Sequence, residues 1–108
     1  MAEAQKILGQ SAPAANTLTD CYTAPSRAVV SSFTACNQSA SSDALIRMSV
    51  ARAGASDSVE QYIYYGLPLF SSDTFIATIG ITLAAGDVVR VWSNTGLVSF
   101  SLFGVEVT

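Results

Sequence analysis

Histidine is absent from this chain of 108 residues. With it goes the side chain that most often carries acid–base catalysis, activates nucleophiles and binds transition metals near neutral pH. Charge is also scarce: 12% of residues are Asp, Glu, Lys or Arg, where a soluble domain usually has about a quarter. A surface so poor in charge implies that something other than water covers part of it. The net charge is −3, and the five basic residues, Lys6, Arg27, Arg47, Arg52 and Arg90, are dispersed along the chain. That pattern speaks against a nucleic-acid partner. No apolar run approaches the ~18 residues of a membrane-spanning helix, and residues 1–10 lack the charged start and apolar centre of an export signal. Synthesis in a cytoplasm without export is the expectation. There is no glycine loop of the phosphate-binding kind, so no cofactor is expected.

What the chain does have is strand pattern, clearest over residues 74–108. Phe75, Ala77, Ile79, Ile81 and Leu83 fall on one face while Thr74, Thr78, Gly80 and Thr82 fall on the other, the period of two of a half-buried strand. Ile76 alone breaks the alternation. Residues 84–87, Ala-Ala-Gly-Asp, form a turn. Residues 88–92 read as the returning strand, and Ser93-Asn94-Thr95-Gly96 as a second hairpin turn. The last strand shifts its apolar phase from Val98, Phe100 and Leu102 to Phe103, Val105 and Val107, which predicts a β-bulge near Phe103-Gly104.

Earlier in the chain, residues 1–16 read as an extended N-terminal arm, because a helix of about seven residues over 2–8 would not hold unaided. The arm is either a frayed terminus or a segment that orders against a neighbouring subunit through Ile7 and Leu8. Pro25-Ser26 reads as a hairpin corner between strands at 17–24 and 27–36. Residues 37–43 and 53–58 are loops, and Ala44, Ile46, Met48 and Val50 face inward with Arg47 and Ser49 outward. In residues 61–70 both strand faces are apolar or aromatic, with Tyr62 and Tyr64 on one side and Ile63 and Tyr65 on the other. Pro68 places the end of this segment at a sheet edge or in a loop. Seven or eight strands with turns at regular spacing make an all-β antiparallel sandwich over residues 17–108, jelly-roll-like in the reading adopted here.

The cysteines, Cys21 and Cys36, fall about six residues out of register if Pro25-Ser26 centres a hairpin. That is about 20 Å along the ladder, too far for a disulfide, and both are expected to be free thiols buried as small apolar groups. The acids Asp20, Asp43, Asp57, Glu60, Asp73, Asp87 and Glu106 lie mostly at turns. Asp57 with Glu60 lacks the alternating oxygen ligands of a calcium loop, and Asp87 directly after Gly86 reads as a turn former. No metal site and no catalytic residue are assigned.

Three stretches, LGQSAPAANTLTDCYTAPSRAVVSSFTACNQS, ITLAAGDVVRVW and SFSLFGVEVT, together resemble a group of small tailed-bacteriophage virion proteins with an LYTVP-like first hairpin and a closing F-x-x-FGVE strand. The likeness runs over most of residues 8–108. Cys21-Tyr22-Thr23-Ala24-Pro25 departs from the more apolar form, as does the serine-rich second loop. The resemblance implies a non-enzymatic structural component of a phage particle. Separately, Leu83, Gly86, Asp87, Val89, Val91, Phe100 and Phe103 are similar to the closing strands of trimeric jelly rolls of the tumour-necrosis-factor type. Together these imply a capsid decoration or cement protein, a homotrimer seated on the major capsid protein; the alternative is a tail, neck or baseplate accessory protein. Val88, Arg90 and Trp92 share one strand face while Val89 and Val91 share the other, so an apolar set remains to be covered whichever faces the core. The expected interface residues are Ile7, Leu8, Tyr62, Tyr64, Tyr65 and Trp92. A carbohydrate-binding sandwich, with Trp92, Tyr62, Tyr64 and Tyr65 as stacking residues, is the reading from a different class.

Overall fold

A computed structural model describes residues 2–107. Eight strands, β1 (Glu3–Ser11), β2 (Thr19–Thr23), β3 (Arg27–Asn37), β4 (Ala44–Ala51), β5 (Tyr62–Leu69), β6 (Thr74–Leu83), β7 (Val88–Ser93) and β8 (Val98–Val107), form two four-stranded sheets. One has the order β1-β8-β3-β6 and the other β2-β7-β4-β5. The first strand pairs with the eighth, the second with the seventh, the third with the sixth and the fourth with the fifth, all antiparallel. The chain is thus one long folded-back ribbon rolled into a sandwich, the arrangement of a jelly roll.

Alternation explains the core. In β6 the odd residues 75–83 point inward and the even ones outward, and Ile76 stands in solvent, 67% exposed. Phe33 and Phe100, with Leu83, Leu102, Val30, Val89, Val91, Ile46 and Met48, fill the space between the sheets. Each such side chain contributes about 1.5–3 kcal/mol by leaving water.

Several expectations are corrected here. Residues 3–11 are not an arm but the edge strand β1, and Leu8 is part of the core. Their composition looks arm-like because an edge strand with one face in solvent needs few apolar residues. The three expected hairpins do not form: β2 and β3, β6 and β7, and β7 and β8 lie in different sheets. Pro25-Ser26, residues 84–87 and residues 93–97 are therefore corners that carry the chain from one sheet to the other. The free cysteines stand, but for a different reason from the hairpin register, since β2 and β3 do not pair. In β8 the alternation is unbroken. The bulges lie opposite Phe103-Gly104 instead, at Leu8 in β1 and Ser31 in β3. The apolar phase shift arises because Gly104 and Glu106 take the inward positions. A Cβ at Gly104 would overlap the Val29 carbonyl oxygen, so this strand crossing admits only glycine. Glu106 accepts a 2.6 Å bond from the Tyr22 hydroxyl and pairs with Lys6 at 2.8 Å, which is how a carboxylate is tolerated there.

Candidate functional site: the outer face of the second sheet

Strand β5 is an edge strand, as Pro68 requires, and its ladder slips twice against β4. Met48 faces Tyr64 while Ser49 faces Tyr62, leaving Ile63 unpaired; Ile46 faces Leu67 while Arg47 faces Tyr65, leaving Gly66 unpaired at φ +79. The slip at Ile63 overturns the expected sidedness. Tyr62 and Tyr65 come to the same outer face, their rings 5.0 Å apart and edge-on. Tyr64 turns inward against Phe33 and Phe75, at 5.6 and 5.5 Å.

Across the sheet, Trp92 of β7 and Tyr65 of β5 both lie directly opposite Arg47 of β4. The guanidinium sits between their rings, 3.9 Å from the indole centroid and 4.1 Å from the phenol centroid. Each such contact adds about 0.5–1 kcal/mol at a partly exposed site, and the pair fixes the cation with its flat faces covered. Beside it Asp57, Ser58, Val59, Tyr62, Tyr65 and Arg47 line a groove of about 400 Å³. Burial, and then a hydrogen bond to the Asp57 carboxylate, hold the Tyr62 phenol protonated to higher pH than usual. Val59 at the rim is 90% exposed. Glu60, just beyond, accepts from the Ser58 hydroxyl at 2.5 Å, which draws its carboxyl below the ordinary range.

The part of this face over Ser49, Ala51 and Val88 is covered by the chain itself, while Leu45 stays exposed. Residues 52–61, with single 3₁₀ turns at Arg52–Gly54 and Val59–Gln61, fold over β4 and β7. Arg90 ties them down by donating to the Ala55 and Gly54 carbonyls at 2.8 and 3.2 Å while pairing with Asp20 at 3.0 Å. Asp87 accepts from the Ala53 and Ala84 backbone N–H groups, both at 2.9 Å. These bonds, Ala53 first, hold its carboxyl below the usual range, the turn role expected of it. Ser49 and Ala51, outward by position, are buried as a result. The buried Arg47 Nε and Ser49 Oγ of β4 and Gln61 Oε1 of the second 3₁₀ turn have no protein partner, and Arg47, which lines the groove, is left to bond something else there.

Of the six expected interface residues, Tyr62, Tyr65 and Trp92 meet in this row. Ile7 lies exposed on the opposite sheet. Leu8 belongs to the core and Tyr64, half-buried, packs against it, so neither is offered outward as an interface residue. Missed in the sequence was Arg47, whose place between two rings depends on cross-strand register that no local pattern carries. Comparison with protein families, curated proteins and solved structures finds no match to this chain.

Proposed function

We propose that this protein is a non-enzymatic structural subunit of a tailed-phage particle, a capsid decoration or cement protein that acts as a homotrimer. One observation carries the reading: the outer face of the first sheet leaves Ile7, Val29 and Ile76 exposed, with Phe103 and Val105 half-buried among serines and threonines. Phe103 lies opposite Ile7, and Val105 opposite Val29, so four of these five side chains form two adjacent apolar pairs. Contiguous apolar surface of this kind is characteristic of subunit contacts. The sequence resemblance supplies the setting, a virion assembled in the host cytoplasm; a tail, neck or baseplate position is the runner-up within the same class. The test is a reconstruction of the intact particle together with sedimentation of the purified protein. Density for the sandwich at repeated capsid positions and a trimeric mass support the proposal; absence of the chain from purified particles sinks it.

The second reading, a carbohydrate-binding module, is favoured by the Tyr62, Tyr65, Arg47 and Trp92 row and its groove. Aromatic faces stack on sugar rings, while Asp57, Ser58 and the unpaired Arg47 Nε supply hydrogen-bonding groups. A glycan array with Tyr65→Ala as control decides it: retention of a glycan by the native chain and its loss in the variant support this reading, and a blank array removes it.

A further inference from the structure

Four strands have an unpaired edge: β1 and β6 in the first sheet, β2 and β5 in the second. A row of free backbone donors and acceptors invites pairing with another chain, and edges are ordinarily blunted by charge, proline, bulges or shortness. Three of the four are blunted in this way. Strand β1 carries Glu3 and Lys6 and bulges at Leu8. Strand β2 has five residues, with Asp20 and a slip at Cys21. Strand β5 has Pro68 and two slips. Strand β6 runs for ten residues, TFIATIGITL, with no charge and no proline. Its one irregularity lies at Ile79-Gly80, and residues 74–78 pair evenly with residues 36–32 of β3.

We propose that β6 pairs antiparallel with β6 of a second copy of this chain, about a two-fold axis at Ile76, joining two first sheets into one continuous sheet. An extended strand is the one occupant that satisfies a row of backbone groups, and this strand is suited to itself. With Ile76 opposite its own copy, Thr74 meets Thr78 and Phe75 meets Ala77. Every pair is then uncharged or threonine to threonine, a favourable cross-strand combination. The register also accounts for Ile76, the lone apolar residue on the outward side of β6, because the axis would bury it against its twin. This interface is separate from the threefold contact of the virion reading: a closed trimer contains no two-fold axis, so β6 pairing would join two such trimers edge to edge.

The experiment is cysteine crosslinking under mild oxidation with peptide mapping. Directly opposed Cα atoms in an antiparallel pair lie about 4.5–5.5 Å apart, within the range a disulfide spans. Ile76→Cys should form a 76-to-76 dimer on the order of a hundredfold faster than Ile63→Cys on the guarded edge, from the millimolar local concentration of an associated pair. A mixture of Thr74→Cys and Thr78→Cys chains should link to each other and not to themselves. Ile76→Lys should keep the native far-ultraviolet spectrum and sediment without the two-fold contact. Crosslinking at 76 no faster than at 63, or association unchanged in Ile76→Lys, overturns the pairing. A native mass of three chains that is unchanged in Ile76→Lys refutes this inference while leaving the proposed function standing, and a β6-linked pair absent from phage particles does the reverse.

Discussion

The two sheets obey the same alternation yet treat their outer faces in opposite ways. On the second sheet, residues 52–61 fold back over β4 and β7, Arg90 and Asp87 fasten them, and what stays open is a row of rings around Arg47. On the first, no described segment returns, and Ile7, Val29 and Ile76 remain in solvent among hydroxyl side chains. The difference teaches that an apolar residue on a strand's outer side does not itself mark an interface. Val88 looks as exposed as Val29 in the sequence, yet its own chain buries it.

The sharpest way to break the comparison is to remove β1. Deleting residues 1–11 takes away an edge strand and Leu8, and the expected outcome is loss of cooperative thermal unfolding, followed by circular dichroism; a folded truncation would show that the first sheet is complete without it. Next comes Gly104→Ala, which forces β8 away from the Val29 carbonyl and should cost about 3 kcal/mol in denaturant titration, at the upper end for overpacking.

The cover on the second sheet is tested by Arg90→Ala. It removes two charge-assisted bonds to the Ala55 and Gly54 carbonyls and the ion pair with Asp20 and should cost about 2 kcal/mol, with proteolytic cleavage in residues 52–61 accelerated. Thr34→Ala on the uncovered face should stay within about 0.5 kcal/mol. Cys21→Ser should cost about 1–2 kcal/mol by placing a hydroxyl in an apolar site. Burial pushes the Cys21 thiol up to about 11, so it should resist alkylation at pH 8 in the folded state.

The smallest effect is in acid. The Asp87 carboxyl is depressed in the folded chain, so its contribution is fully present above the ordinary aspartate value of about 4 and is lost as pH falls through the folded value. Cleavage of residues 52–61 should therefore rise in that acid window, and Asp87→Asn should abolish the pH dependence.

Which residues form strands was legible because period-two alternation is a local property; β6 was read residue for residue. Partnership was not legible. Pro25-Ser26, Gly86-Asp87 and residues 93–96 announce that the chain reverses, and a reversal within one sheet and a step to the facing sheet use the same residue types. The row at Arg47 stayed hidden for a related reason. It depends on the slip at Ile63 that moves Tyr62 to the side of Tyr65, and a strand's composition does not reveal a slip. Residues 3–11 were misread because a strand with one solvent face and a single core residue has the composition of a tail.

The pairing of first strand with last has a consequence in time. Every element of the first sheet touches β8 or is joined to it through β3, and β8 is the last of the eight strands to be synthesised. Strands β4 and β5 are the partners nearest in sequence and can close first at low entropic cost, whereas β1 must wait for almost the whole chain. Closing so long a loop before its contacts form makes for slow folding. The nascent chain must therefore hold its apolar β3 and β6 apart from those of neighbouring chains until β8 has been made.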